Sequence, residues 1–200
     1  MQKLERVPEQ EAQQSLANLT QACEAFERVL PLWIFDKAGT VQRIHSALKY
    51  KNQPLTGRQL GALMAKLLIV PLALDARPTL VIPIPLHRQR LFERGYNQSA
   101  QLAIGLAKTA NIPFDASIMV RRRYTRTQTG FDQQQRLANV KGAFGIRAAR
   151  SSAVCGAHVL LVDDVLTTGA TLLAAAEPLR EAGAAAVSIA TLAMARRTNR

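Results

Sequence analysis

The hydrophobic positions of this chain fall into two regimes. Over the first third they recur at helical steps. Leu16, Leu19, Cys23, Phe26 and Leu30 lie three or four apart, which predicts an amphipathic helix over 9–30 closed by Pro31. Val41, Ile44 and Leu48 repeat the pattern over 40–50. Leu60, Leu63, Met64 and Leu67 carry it through a third helix, which Thr56 is placed to cap and Pro71 to stop. From residue 79 the apolar residues come instead as short continuous runs: TLVIPIP (79–85), SIMV (117–120), AFGI (143–146), HVLLVDD (158–164) and AAVSIATLAMA (185–195). Such runs read as buried strands. Helical stretches over 98–110 and 170–182 lie between them.

Strands that alternate with helices predict an α/β fold with a mostly parallel sheet covered on both faces. The division expected is a helical N-terminal cap over 1–75 and an α/β domain over 76–200. Residues 121–142 are basic, rich in Gln and without period; a loop that long in a compact domain is functional or mobile.

Composition narrows the partners. Apolar residues make up 48% and charged residues 20%, which excludes a disordered chain. The net charge of +12 predicts affinity for polyanions: phosphorylated small molecules, nucleic acid, or both. A basic but merely solvated surface is the plain alternative. Cys23 and Cys155 form neither a disulfide framework nor a zinc spacing, and Trp33 reads as core or interface. No apolar run reaches the roughly 18 residues of a membrane span, and no signal core opens the chain. The expected setting is the cytoplasm, with no membrane partner; oligomerisation is left open.

The candidate chemistry sits in VLLVDDVLTTGATL, 159–172. Two adjacent acids end a buried strand, and a turn of small residues enters a helix. Ligands of parallel sheets bind beyond the carboxyl ends of strands. Unpaired N–H groups and the helix dipole favour an anion at the turn. Val165, Leu166, Thr167, Thr168, Gly169, Ala170 and Thr171 therefore form a candidate phosphate loop, with three hydroxyls and a glycine for close approach. Asp163 and Asp164 would repel a bare phosphate. A ribose 5-phosphate resolves the conflict, its phosphate in the loop and its vicinal hydroxyls donating to the carboxylates. The bland alternative is an ordinary strand-to-helix turn.

That stretch resembles the phosphoribosyl-diphosphate signature of type I phosphoribosyltransferases. PIPLHRQRLFERGYNQS (83–99), RYTRTQTGFDQQQRLANVKGAF (123–144) and IHSALKYKN (44–52) resemble further blocks of the ComF/GntX-like branch, four motifs in order over roughly 34–196. The resemblance implies that Asp163 and Asp164 are the catalytic acids. They hold the ribose and indirectly support a Mg²⁺ carried by the substrate phosphates. It implies a pyrophosphate loop at Pro85, Leu86, His87, Arg88, Arg90 and Arg94, the arginines binding diphosphate oxygens; for His87 a plain loop role stays open. It implies a mobile hood carrying Arg123, Arg126, Gln128, Arg136 and Asn139, and sets Lys49 and Tyr50 at the border of an acceptor pocket. The partners implied are phosphoribosyl diphosphate and an unidentified acceptor. The branch also associates with DNA uptake and use, so single-stranded DNA stands as an alternative ligand and a non-catalytic sensor as an alternative role. Members of the branch typically begin with a cysteine-rich zinc module. The first 40 residues here hold one cysteine, so the chain is either a zinc-free variant or a late start.

Overall fold

A computed structural model describes residues 4–20, 26–36, 39–50, 53–124 and 138–196. In chain order, α1 (Glu9–Thr20) precedes β1 (Val29–Ile34), α2 (Thr40–Tyr50) and α3 (Pro54–Met64). β2 (Leu80–Pro83), α4 (Arg88–Arg94) and α5 (Gln98–Ala110) follow. Then come β3 (Met119–Arg121), β4 (Phe144–Ile146), β5 (His158–Leu166), α6 (Ala170–Glu181) and β6 (Ala186–Met194).

Four strands make a parallel sheet in the order β1-β6-β5-β2. Val159 to Val162 of β5 are fully buried because alternate residues serve two cores. Val159 and Leu161 join the layer that contains Leu172, Ala175 and Leu179 of α6. Leu160 and Val162 join the layer of Val41, Leu48, Met64, Leu102 and Leu106 from α2, α3 and α5. Burial on both faces is why the strand reads as an unbroken apolar run.

Four elements depart from the expectations. The first helix is described over Glu9–Thr20, and Val29–Ile34 is a strand rather than a helix end. β1 is an edge strand, the position where a proline such as Pro31 costs least ladder bonding. Segment 1–75 thus contributes a strand to the sheet and helices to both of its faces, α1 in the layer of α6, and α2 and α3 in the layer of α5. SIMV and AFGI do not enter the parallel sheet; β3 and β4 pair with each other antiparallel, Val120 opposite Gly145, as a separate ribbon. The segment 88–94 is helical, with His87 accepting from Gln89 N–H at its start and Gly95 in the left-handed region (φ 74°) at its end. The third helix starts with Pro54 in its first turn, so Thr56 lies inside it, and Ala65–Ile69 continue it as a π-turn.

Glycines set how α5 meets α3. A Cβ on Gly61 would lie 1.9 Å from the Leu102 carbonyl oxygen, and one on Gly105 1.9 Å from that of Arg58. The two helix backbones are therefore in direct contact, which fixes α5 and its N-terminus beside the end of β5. Among the described residues no helix is long and apolar enough to cross a membrane.

Candidate functional site

The site forms where β5 ends. A polar recess there is lined by Asp163 and by Val165 through Leu172. Gly169 adopts φ 71° and opens α6; the first bond of that helix is Leu173 N–H to the Gly169 carbonyl. No side chain caps the helix. The N–H groups of its first residues are thus directed to the recess without a capping oxygen, an anion-favouring arrangement. Thr167 is exposed and Thr168 half-buried. The whole predicted loop lines one concavity, together with one of the two predicted acids.

The acids point to different partners. Asp163 Oδ1 accepts from Ser99 Oγ at 2.8 Å and from Asp164 N–H at 2.9 Å. Asp164 is 7% exposed and faces away from the recess. Its Oδ2 lies 3.1 Å from His45 Nε2, 3.2 Å from Lys49 Nζ and 3.2 Å from Gln98 Nε2, while Oδ1 accepts from Val165 N–H at 2.8 Å. Consecutive residues of a strand take opposite sides. Here Asp163 borders the recess and Asp164 a polar cluster under α2, and both reach the start of α5.

The run Gly95 to Ser99 organises this arrangement. Gly95 closes α4, and the Tyr96 hydroxyl donates to the Leu48 carbonyl of α2. Asn97 caps α5 through Ser99 N–H at 3.0 Å and donates to the Ile84 carbonyl at 2.9 Å, tying the segment after β2 to α5. Gln98 and Ser99 then reach one acid each. Of these contacts the sequence reading missed His45, Gln98 and Ser99. Two signals pointed to them: the i, i+4 spacing of His45 and Lys49 on a helix, and the NQS that follows Gly95.

The local electrostatics follow from burial. Desolvation, then the neighbouring Asp164 charge, push the Asp163 carboxyl up to about 7, against the hydrogen bond from Ser99. Burial would raise Asp164 as well, but the Lys49 ammonium and the His45 and Gln98 donors hold it below the usual carboxylate range. Lys49 also offsets part of the rise at Asp163.

The predicted pyrophosphate segment lies after β2. Ile84 N–H extends the ladder to the Val162 carbonyl, and Pro85, Leu86 and His87 are half-buried. Arg88 is exposed, Arg90 and Arg94 half-buried. The His87 ring meets Tyr124 edge-on at 5.3 Å, and Arg90 lies over the same ring at 5.7 Å. α4 is thereby joined to the ribbon that starts the hood segment. Arg121 of β3 stacks on Phe144 at 5.2 Å. Burial lowers its pKa, the Arg90 charge lowers it further, and Asp163 opposes both. Arg121 and Tyr124 are additional candidates that the sequence reading did not single out.

Arg123 donates to the Lys141 carbonyl at 3.2 Å, spanning the base of the hood segment. Asn139 is half-buried, its Nδ2 without a hydrogen bond among the described residues. Arg126, Gln128 and Arg136, like Cys23, lie outside the described residues.

Comparison with known proteins agrees with this architecture. Residues 96–200 match the family model "Phosphoribosyl transferase domain". The chain is 36% identical over 118 residues to competence protein F of Haemophilus influenzae, a match covering 59% of this chain and 51% of that protein. It is 36% identical over 112 residues to DNA utilization protein YhgH of Escherichia coli K12, covering 56% and 48%. It is 35% identical over 113 residues to competence protein ComFC of Bacillus subtilis, covering 56% and 43%. The chain spans about half the length of the curated relatives it matches. It belongs to the phosphoribosyl transferase domain family and is a ComF-like protein of the type I phosphoribosyltransferase fold.

Proposed function

We propose that this protein binds phosphoribosyl diphosphate as its Mg²⁺ complex and transfers the phosphoribosyl group to an acceptor, releasing pyrophosphate. The observation that carries the reading is the recess at the end of β5, which combines an uncapped helix N-terminus with the single carboxylate Asp163. One ligand would then offer an anion to the loop and hydroxyl donors to the acid. A ribose 5-phosphate has both.

In this reading the 5-phosphate accepts from the N–H groups around Gly169 and from the Thr167, Thr168 and Thr171 hydroxyls. Asp163 accepts from the vicinal hydroxyls and stabilises the positive charge that develops on the ring as the anomeric carbon loses diphosphate. Arg121, which senses the charges of Arg90 and Asp163, would meet the leaving diphosphate charge together with Arg90, and Arg88 and Arg94 share the short helix of Arg90. In this reading the metal arrives on the substrate. Mg²⁺ bound to diphosphate would supply charge neutralisation of the leaving group.

Calorimetry of phosphoribosyl diphosphate binding, with and without Mg²⁺, tests this on wild type and Asp163→Asn. Expected is Mg²⁺-dependent binding in the wild type, weakened about 100-fold or more in the variant. No binding to the wild type would sink the proposal. Pyrophosphate release on adding candidate acceptors then separates an enzyme from a sensor.

A second reading, single-stranded nucleic acid, is favoured by one surface. Phe92 is 90% exposed on α4 beside exposed Arg88, and Tyr124 is exposed next to Arg122 and Arg123. Aromatics among arginines suit stacked bases and phosphates. Binding that falls steeply with salt and weakens in Phe92→Ala would support it; salt-independent or absent binding would remove it.

A further inference from the structure

The segment that joins the third helix to β2 shows three large apolar side chains to solvent. Leu67 is 38% exposed, Val70 42% and Leu74 81%, and Pro71 and Ala73 between them are exposed as well. Single exposed leucines are ordinary, but a contiguous apolar strip marks a surface that another surface covers. The strip lies at the opposite end of the sheet from the recess. It precedes Leu80, which pairs with Val159 at the start of β5, whereas the recess follows the end of that strand. Neither the core nor the ligand reading accounts for it.

The strip stands on a fixed backbone. The π-turn buries Ala65, Leu68 and Ile69 and turns Lys66 and Leu67 outward. Val70 N–H donates to the Ala65 carbonyl at 2.9 Å and Leu72 N–H to that of Ile69 at 3.0 Å, and Leu74–Ala76 form a 3₁₀ turn. A helix end leaves carbonyls unpaired, and two guanidiniums take them up. Arg6 donates to the Leu67 carbonyl at 3.3 Å, and Arg77 to those of Leu72 at 3.0 Å and of Val70. A surface so held loses little freedom on docking. Charge frames it asymmetrically: Lys66 and Arg6 stand at the Leu67 end and Asp75 at the Leu74 end, all three exposed.

We propose that this strip is a self-association surface and that its occupant is a second copy of this chain, related by a two-fold axis near Val70. A two-fold interface sets one patch against itself. Leu67 of each copy then meets Leu74 of the other, and the cations at one end meet Asp75 at the other. The strip is complementary in charge to its own rotated image. An anionic lipid surface would instead call for cations all round, and Asp75, next to the most exposed leucine of the strip, would be driven against lipid phosphates. The arrangement leaves the end of β5 open in both copies, so the pairing stands or falls independently of what the recess binds.

Sedimentation equilibrium of the full chain, from about 1 to about 200 μM, tests this; a strip this short predicts a reversible dimer with Kd on the order of 10 μM. Leu74→Glu sets a charge in the apolar contact and should weaken the dimer about 30-fold or more. Its urea midpoint should match wild type, because the side chain is exposed in the single chain. Lys66→Glu and Asp75→Lys should each weaken it about three- to tenfold, since the symmetry repeats every contact, and the two together should associate better than either alone. A monomer at every concentration would overturn the proposal. So would a dimer that Leu74→Glu leaves intact, or charge variants whose losses add. If the monomer instead sediments with phosphatidylglycerol vesicles and Leu74→Glu does not, the strip faces lipid and the second-copy reading is refuted.

Discussion

Replacing Asp163 with asparagine should make the unliganded protein more stable at pH 8 and change it little at pH 4. The carboxyl is raised from 3.8 to about 7, by burial first and by Asp164 second. Between those values the folded protein retains a proton that the unfolded chain has released. Stability therefore falls as pH rises through that window, and the penalty is complete above the folded value. A difference of about 3 in pKa, at about 1.4 kcal/mol each, sets a ceiling of about 4 kcal/mol. Asparagine retains an oxygen at Oδ1, so the bonds from Ser99 Oγ and Asp164 N–H can persist, and its neutral amide carries no desolvation cost of charge. The expected gain at pH 8 is about 2–4 kcal/mol, or on the order of 5–10 °C in Tm for a chain of this size. Urea and thermal unfolding of both proteins at pH 4, 6 and 8 give the profile. A constant offset across pH would mean that the effect is packing rather than charge. A loss of stability at pH 8 would refute the reasoning outright. Because the same substitution is expected to weaken ligand binding about 100-fold or more, the residue would destabilise the unliganded fold for the sake of the site.

Asp164→Asn should have the opposite sign: the lowered pKa of Asp164 contributes stability above the ordinary carboxylate range that is lost as pH falls, so the variant should be less stable at pH 7 by about 1–3 kcal/mol, a gap that narrows under acid unfolding. Gly61→Ala should destabilise by about 2–4 kcal/mol in urea, since its Cβ would meet the Leu102 carbonyl at 1.9 Å and neither backbone can yield without separating α3 from α5. Gly169→Ala should cost about 1 kcal/mol of stability from its positive φ. The same variant should weaken inorganic phosphate or phosphoribosyl diphosphate binding by more than that strain accounts for, because the loop backbone must shift; calorimetry reads it, and unchanged affinity would remove the loop from the site.

Much of the fold was legible because burial writes directly into the sequence. The runs at 79–85 and 158–164 and the helix at 98–110 stand where the apolar pattern places them. The errors have local physical causes. Val29–Ile34 was hidden because Leu30 falls one helical step from Phe26 and Pro31 looks like a terminator, whereas an edge strand tolerates the proline. The ribbon of β3 and β4 reads like any buried strand, since pairing direction leaves no mark on a three-residue run. α4 was hidden by a high density of arginine, which conceals a helix held by His87 and Gly95 at its ends. At the site the phosphate loop was legible as contiguous sequence. His45, Gln98 and Ser99 were not, because they reach the acids across sequence separations of 119, 66 and 64 residues.

The adjacent acids are then explained by the strand that carries them. A strand sends neighbouring side chains toward opposite sides, so two consecutive aspartates at its end meet different surroundings. Asp163 borders the recess and also bonds Ser99 at the start of α5, while Asp164 is enclosed by α2 and α5. A carboxylate on the closed side needs a cation, and Lys49 supplies it. The carboxylate that borders the recess is raised in pKa by burial first and by the Asp164 charge second. Asp164 is thus satisfied within the chain, and Asp163 lines the recess that the proposed ligand would enter. Any ligand that also offers a phosphate to the uncapped end of α6 must keep that phosphate apart from Asp163. It must also place neutral donors, rather than a second anion, between the two. Ribose hydroxyls meet that condition and a free diphosphate does not. Competition at the recess should therefore favour ribose 5-phosphate over pyrophosphate, and the reverse order would count against the orientation argued for the sugar.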